Sequence, residues 1–238
     1  MKLKDLFPRL QLNATPHEGL HPSETEVRSM VEECRADDSD DCREIIASGL
    51  LSAEQLHHAA ERYRLGKSLS GKTIYWMIDD RQRVLDGHIG DGWASQMLKA
   101  REPKLLSHWH ATHCLFGLHL LPPPTAKAGE VHGTKPVAIV ETERSAVILS
   151  ELFLEQVWMA GVTAANFTIE KLEPLRGRRV ILCPGTDDTM TKYVSWLEMA
   201  DMACRRYHLD ISVSKVLEEY ATPDQKRREV DLVDFLFE

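Results

Sequence analysis

Residues 135–161, KPVAIVETERSAVILSELFLEQVWMAG, decide how the chain is read. VAIVE (137–141) is a continuous apolar run ending in a carboxylate, SAVILSELF (145–153) has the longer period of a helix, and VWMAG (157–161) is a second short apolar run closed by glycine. Downstream the alternation continues. TIEKLEPL (168–175) predicts a short helix, RVILC (179–183) a third strand, Thr191 to Tyr207 a long helix and LDISV (209–213) a fourth strand, followed by a helical end. Strands that are apolar throughout, rather than every second residue, are buried on both faces. Alternated with helices, they predict an α/β fold, a parallel sheet flanked by helices.

Upstream of this block the pattern differs. The prolines at 122–124 and the glycines of KAGEVHG (127–133) interrupt it, which places a domain boundary near residue 130. Residues 1–22, with Pro8, Pro16 and Pro22, predict an extended arm, 23–130 a small α+β domain of helices plus a β-hairpin, and 131–238 the α/β domain. Ser23 with Glu26 and Ser52 with Gln55 are capping-box pairs, opening helices that run to about Cys34 and to Gly66. DDSDD (37–41) lacks the glycine and distal glutamate of a calcium loop and is read as a linker and helix cap. TIYWMI (73–78), DDRQR (79–83) and VLDGHI (84–89) form a hairpin with its polar turn, and a short helix follows near Trp93–Lys99.

The stretch HWHATHCLFGLHLL (108–121) concentrates four histidines and a cysteine. Its H-x-H-x-x-H-C spacing fits no standard zinc pattern, and no zinc is expected. Phe116 is read as packing, Gly117 as turning, and His119 as satisfied by a backbone group. Cys34, Cys42, Cys114, Cys183 and Cys204 are odd in number and form no C-x-x-C pair, which speaks against a disulfide framework. With 43% hydrophobic residues, 28% charged residues and no apolar run near the roughly 20 residues a bilayer requires, no membrane partner is expected and a cytoplasmic location is. The net charge of −8 leaves nucleic-acid contact to local basic clusters: Arg176-Gly177-Arg178-Arg179, Arg205-Arg206 and Lys226-Arg227-Arg228.

Ligands of open α/β sheets bind beyond the carboxyl ends of the strands. Here those ends carry Glu141 with Glu143 close behind, Gly161, and PGTDD (184–188). Clustered carboxylates at adjacent strand ends suit a hard cation such as Mg²⁺ or Mn²⁺ that also orients phosphate oxygens. The same residues also suit the amino ends of the following helices, where the dipole favours negative charge. Spacing alone leaves both readings open.

KPVAIVETERSAVIL resembles the opening of a Toprim domain, the catalytic module shared by bacterial primases, topoisomerases and some nucleases. In that family a glutamate ends the first strand, a glycine the second and an Asp-x-Asp motif the third. Those places hold Glu141, Gly161 and the G-T-D of 185–187. LFGLHLL (115–121) resembles the segment that precedes the glutamate strand in primases. The run from about Glu44 to Glu238 is similar to Toprim-like, primase-related proteins carried on bacterial conjugative and other mobile elements.

The resemblance implies a catalytic role for Glu141 and Asp187 and a magnesium site of Glu141, Asp187 and Asp188. Gly161, Arg178, Arg179 and Lys192 are the binding candidates, and Glu143, Asp231 and Asp234 are the further carboxylates that could contribute. Gly185 stands where the family has the first aspartate, a departure that removes one metal ligand. The implied function is DNA replication or mobile-element maintenance, with DNA or a replication protein as partner. The activity would be Mg-dependent primer synthesis or nuclease chemistry; the alternative is a module that binds without catalysis.

Overall fold

The computed structural model describes residues 36–68, 70–96, 112–121, 135–161 and 167–238. The chain divides into two compact units, Met1–Pro123 and Pro124–Glu238. The arm expected over 1–22, the helix expected to Cys34, and His108 and His110 lie outside the described residues.

In the first unit, α1 (Asp40–Ala47) and α2 (Ala53–Tyr63) precede the antiparallel sheet β1 (Gly66–Lys67), β2 (Thr73–Ile78), β3 (Val84–Ile89) and β4 (Gly92–Trp93), ordered β1-β2-β3-β4. The aspartates of 37–41 serve the linker and the start of α1. Asp40 also ties that start to β2, accepting from the Thr73 backbone N–H at 2.8 Å and pairing with the Lys72 amine at 2.8 Å. Both halves of the Ser52–Gln55 capping box form, and α2 buries Leu56, Ala59, Ala60 and Tyr63, the i, i+3, i+4, i+7 face of an amphipathic helix.

That helix stops earlier than its sequence suggests. Arg64 takes the left-handed cap (φ 54), and Gly66 is already in β1. Gly66 is glycine for another reason: a β-carbon there would stand 2.6 Å from Nε1 of Trp76. The β2–β3 hairpin forms as expected, its turn held by Asp79, whose Oδ1 accepts from the N–H groups of Arg81 and Arg83. Trp93 belongs to β4, and helical backbone begins only at Ala94. Phe116 is fully buried, stacked on Tyr63 with centroids 4.9 Å apart and edge-on to Tyr75. Gly117 supplies a φ of +85°, and His119 Nε2 donates to the Arg62 carbonyl at 3.2 Å, the backbone partner expected for it.

The second unit is mixed α/β. Its strands β5 (Val137–Val140), β6 (Val157–Ala160), β7 (Arg179–Leu182) and β8 (Asp210–Val213) form a parallel sheet ordered β6-β5-β7-β8, flanked by helices. All four residues of β5 are buried, as a central parallel strand requires, which is why its sequence shows no alternation. Thr142 caps α3 (Glu143–Leu152), and α4 (Thr191–Tyr207) occupies the range the sequence predicts. The segment Ile169–Leu175, expected as a short helix, is a 3-10 helix; Pro174 near its end has no N–H to continue a regular ladder. Three short helices follow β8: α5 (Val216–Tyr220), α6 (Pro223–Arg227) and α7 (Leu232–Phe237). Among the described residues no helix is long and apolar enough to cross a membrane.

Candidate functional site at the carboxyl edge of the parallel sheet

Because β5 lies between β6 and β7, the three strand ends that carry Glu141, Gly161 and Gly185–Asp187 are neighbours at one edge of the sheet. Glu141 is half-buried. Its Oε1 accepts the Gly185 backbone N–H at 3.1 Å, and its Oε2 lies 3.7 Å from the Lys192 amine. Lys192 also reaches Oε2 of Glu229 at 3.2 Å. The lysine therefore sits between two carboxylates and offsets the charge that a divalent ion would otherwise offset. A β-carbon at position 185 would stand 3.0 Å from Glu141 Oε2. An aspartate at 185 would require the flexible end of Glu141 to give way by a few tenths of an ångström.

Asp187 is buried, and its carboxylate closes the amino end of α4. Oδ1 accepts from the N–H groups of Thr189 and Thr191 at 2.8 and 3.0 Å and from the Thr189 hydroxyl; Oδ2 accepts from the Lys192 N–H at 2.7 Å. Burial opposes its ionisation, but the Thr189 hydroxyl and the N–H groups of Lys192, Thr191 and Thr189 outweigh that and pull its pKa from 3.8 to about 2. Of the two readings of the strand-end acids, helix opening describes Asp187. Asp188 is exposed.

The other carboxylates are also engaged. Glu143 is buried in the first turn of α3. Asp231 caps α7 through the N–H groups of Val233 and Asp234 at 2.8 and 3.0 Å, and also accepts the Ser145 hydroxyl. Asp234 completes that capping box, its Oδ2 accepting the Asp231 N–H at 3.3 Å. Glu218, which sequence reasoning passed over, accepts from the Thr186 hydroxyl at 2.8 Å and pairs with Lys226 at 3.0 Å. Glu229 was passed over too; it adopts φ 55, and no local motif announces it.

As placed, Glu141, Asp187 and Asp188 do not fit a magnesium cluster. Asp187 has spent three acceptor positions on one oxygen and one on the other, Lys192 stands against Glu141, and among the described residues no group of three His, Cys, Asp or Glu side chains could hold a metal ion. Gly161 has a packing role: a β-carbon there would stand 2.9 Å from the Phe167 ring, which in turn lies 4.8 Å from the Trp196 ring. Arg178 and Arg179 lie at the start of β7, the opposite edge from Lys192. The carboxyl edge is chemically a compensated network of acids, lysines and hydroxyls.

Residues 46–186 match the model of a domain family described as a domain of unknown function, DUF6371. The chain belongs to this family. No curated protein and no solved structure matches it. The DUF6371 match begins within α1, runs through both units and ends at Thr186. It thus includes Glu141 and Gly185 and stops just before Asp187 and Lys192. The pairing of Gly185 N–H with Glu141 falls within the family's matched extent; the capping of α4 by Asp187 falls outside it.

Proposed function

We propose that this DUF6371 protein is a Toprim-like, primase-related protein of DNA replication or mobile-element maintenance that acts by binding nucleic acid or a replication partner, without magnesium-dependent phosphodiester chemistry. The observation that carries the reading is the strand order: the glutamate, glycine and G-T-D positions on which the resemblance rests end on adjacent parallel strands at one edge. The non-catalytic form of the reading rests on the occupancy of that edge. Glu141 is held by Gly185 N–H and faced by Lys192, and Asp187 is committed to α4.

The test is calorimetric titration of Mg²⁺ and Mn²⁺ into the native protein and into the double variant Glu141→Gln, Asp187→Asn, together with assays for primer synthesis and nicking. The proposal expects no saturable metal heat and no turnover. Metal binding that disappears in the double variant, accompanied by turnover that disappears with it, would replace the proposal with a working metal-dependent enzyme.

A further inference from the structure

The amino edge of the parallel sheet presents the opposite situation to the carboxyl edge. Arg178, between Gly177 (φ +77°) and β7, is 8% exposed. Its backbone N–H bonds to the Leu175 carbonyl, but its guanidinium makes no hydrogen bond or ion pair with any described residue. Burial lowers the Arg178 pKa, and no carboxylate of the described residues offsets this. Most of the side chain is buried while its guanidinium nitrogens keep contact with solvent, so the charge is partly desolvated and has no partner among the described residues; in native proteins buried charges are ordinarily paired. The natural partner of a guanidinium is an anion.

The neighbourhood suits a repeated anion. Two basic clusters separate in sequence meet at the Tyr207 ring: the Arg176 and Arg206 guanidiniums lie 5.0 and 5.3 Å from its centroid. Tyr207 is buried, so it acts as a platform that limits where the two guanidiniums go. Arg179, exposed at the first position of β7, is in register with Asp210 of β8, three residues beyond Tyr207. Apart from Asp210, the acids facing this edge are outward pairs in solvent: Glu173 with Arg176 at 3.1 Å, Glu170 with Arg206 at 3.2 Å and Asp201 with Arg205 at 2.7 Å. Exposed pairs of this kind are weak and exchange readily for phosphate. None of these acids pairs with Arg178.

Resting on the nucleic-acid reading above, we infer that the amino edge of the parallel sheet, built on Arg178, which has no partner among the described residues, and flanked by Arg176 and Arg206, binds the phosphate groups of a single nucleic-acid strand. Several guanidiniums spread along one edge match a repeating polyanion better than an isolated phosphate. With an overall charge of −8, the attraction has to come from a local cluster such as this one.

The experiment is fluorescence anisotropy with a short labelled oligothymidylate, with inorganic phosphate as competitor, on the full chain and three variants. Arg178→Met should weaken binding at least about tenfold, in line with loss of a desolvated charge-assisted contact, and keep the native melting temperature. Arg176→Gln with Arg206→Gln should weaken binding and flatten its salt dependence. Lys215→Gln, which removes one exposed positive charge elsewhere, should leave it within about twofold. Native-strength binding by Arg178→Met would overturn the amino edge while leaving the proposed function standing on another surface. A collapse of its melting temperature would make Arg178 a structural residue and overturn the inference as well. Displacement by inorganic phosphate at matched phosphate concentration would overturn the strand in favour of a single phosphate. No binding by the native protein would overturn this inference and the nucleic-acid reading together.

Discussion

Asp86 and Arg178 are both buried charges, one in each unit, and their surroundings are opposite. Asp86 is 0% exposed and accepts four hydrogen bonds: from the N–H of Gly87 at 2.8 Å, the N–H and hydroxyl of Ser95 at 3.0 and 2.6 Å, and His113 Nε2 at 3.2 Å. Its neighbours are themselves fixed, His113 stacking on Trp93 with centroids 3.7 Å apart. Among the described residues Arg178 has no such set. A saturated buried charge organises the segments around it, because removing it leaves several donors unsatisfied at once. An unsaturated one gains no such hydrogen bonds on folding, so its charge is not what holds the segment together. Residue type alone would rank both as site candidates; the inventory of partners separates them.

The largest effect that would test this contrast is at Asp86. Asp86→Ala orphans two N–H groups, a hydroxyl and an imidazole, and should destabilise the first unit by about 4 kcal/mol. Hydrogen exchange at the β2 and β3 amides reads this unit by itself, and near-native protection there would break the comparison. Next comes His119, which burial drives down from 6.5 to about 4 against the opposing pull of its hydrogen bond to Arg62. The unfolded chain takes up a proton near 6.5 and the folded chain only near 4. Its stabilising contribution is therefore complete above the unfolded value and declines as pH falls through the window between the two, by about 3 kcal/mol in all. Urea midpoints measured over this range should slope in the native protein and flatten in His119→Gln.

Asp187 should show a smaller effect, in the same sense as Asp86. Asp187→Ala removes the acceptors for three N–H groups at the start of α4 and should cost about 2 kcal/mol. Its folded pKa of about 2 lies below the ordinary 3.8, so the contribution is full above the ordinary value and is lost as pH falls towards 2. Amide exchange in the first turn of α4 would report both. If Asp187→Ala left that turn protected while altering divalent-cation binding, the carboxylate would belong to a metal site and not to the helix.

Much of this architecture was legible because burial leaves a periodic trace. RVILC (179–183) overlaps β7 (Arg179–Leu182), Thr191 to Tyr207 coincides with α4, and the Ser52–Gln55 pair forms the capping box it spells. The misplaced details arose where one residue type has two uses. Gly66 read as a helix stop, yet glycine is needed there by Trp76, and Arg64 bears the left-handed cap itself. Asp187 has the composition of a metal ligand and the position of a helix cap, and only the hydrogen bonds distinguish them. Glu229 and Glu218 reach the carboxyl edge from far along the chain, by folding that no local pattern encodes. Arg178 was visible as one of several arginines; its lack of a partner among the described residues emerges only from the packing.

The smallest expected effect is the sharpest discriminator. Methionine approximates the arginine stem in length and carries no charge, so Arg178→Met removes a desolvation cost without opening a large cavity. The folded protein should lose nothing, its urea midpoint remaining within about 0.5 kcal/mol of native or rising. This is the reverse of Asp86→Ala, although both substitutions delete a buried charge. A loss above about 1 kcal/mol would mean that Arg178 supports the fold through contacts of its aliphatic stem, and the contrast between the two buried charges would then be one of degree. A neutral or stabilising result would show that the charge has no role in folding, in contrast to Asp86, and would be consistent with the binding role inferred for this edge.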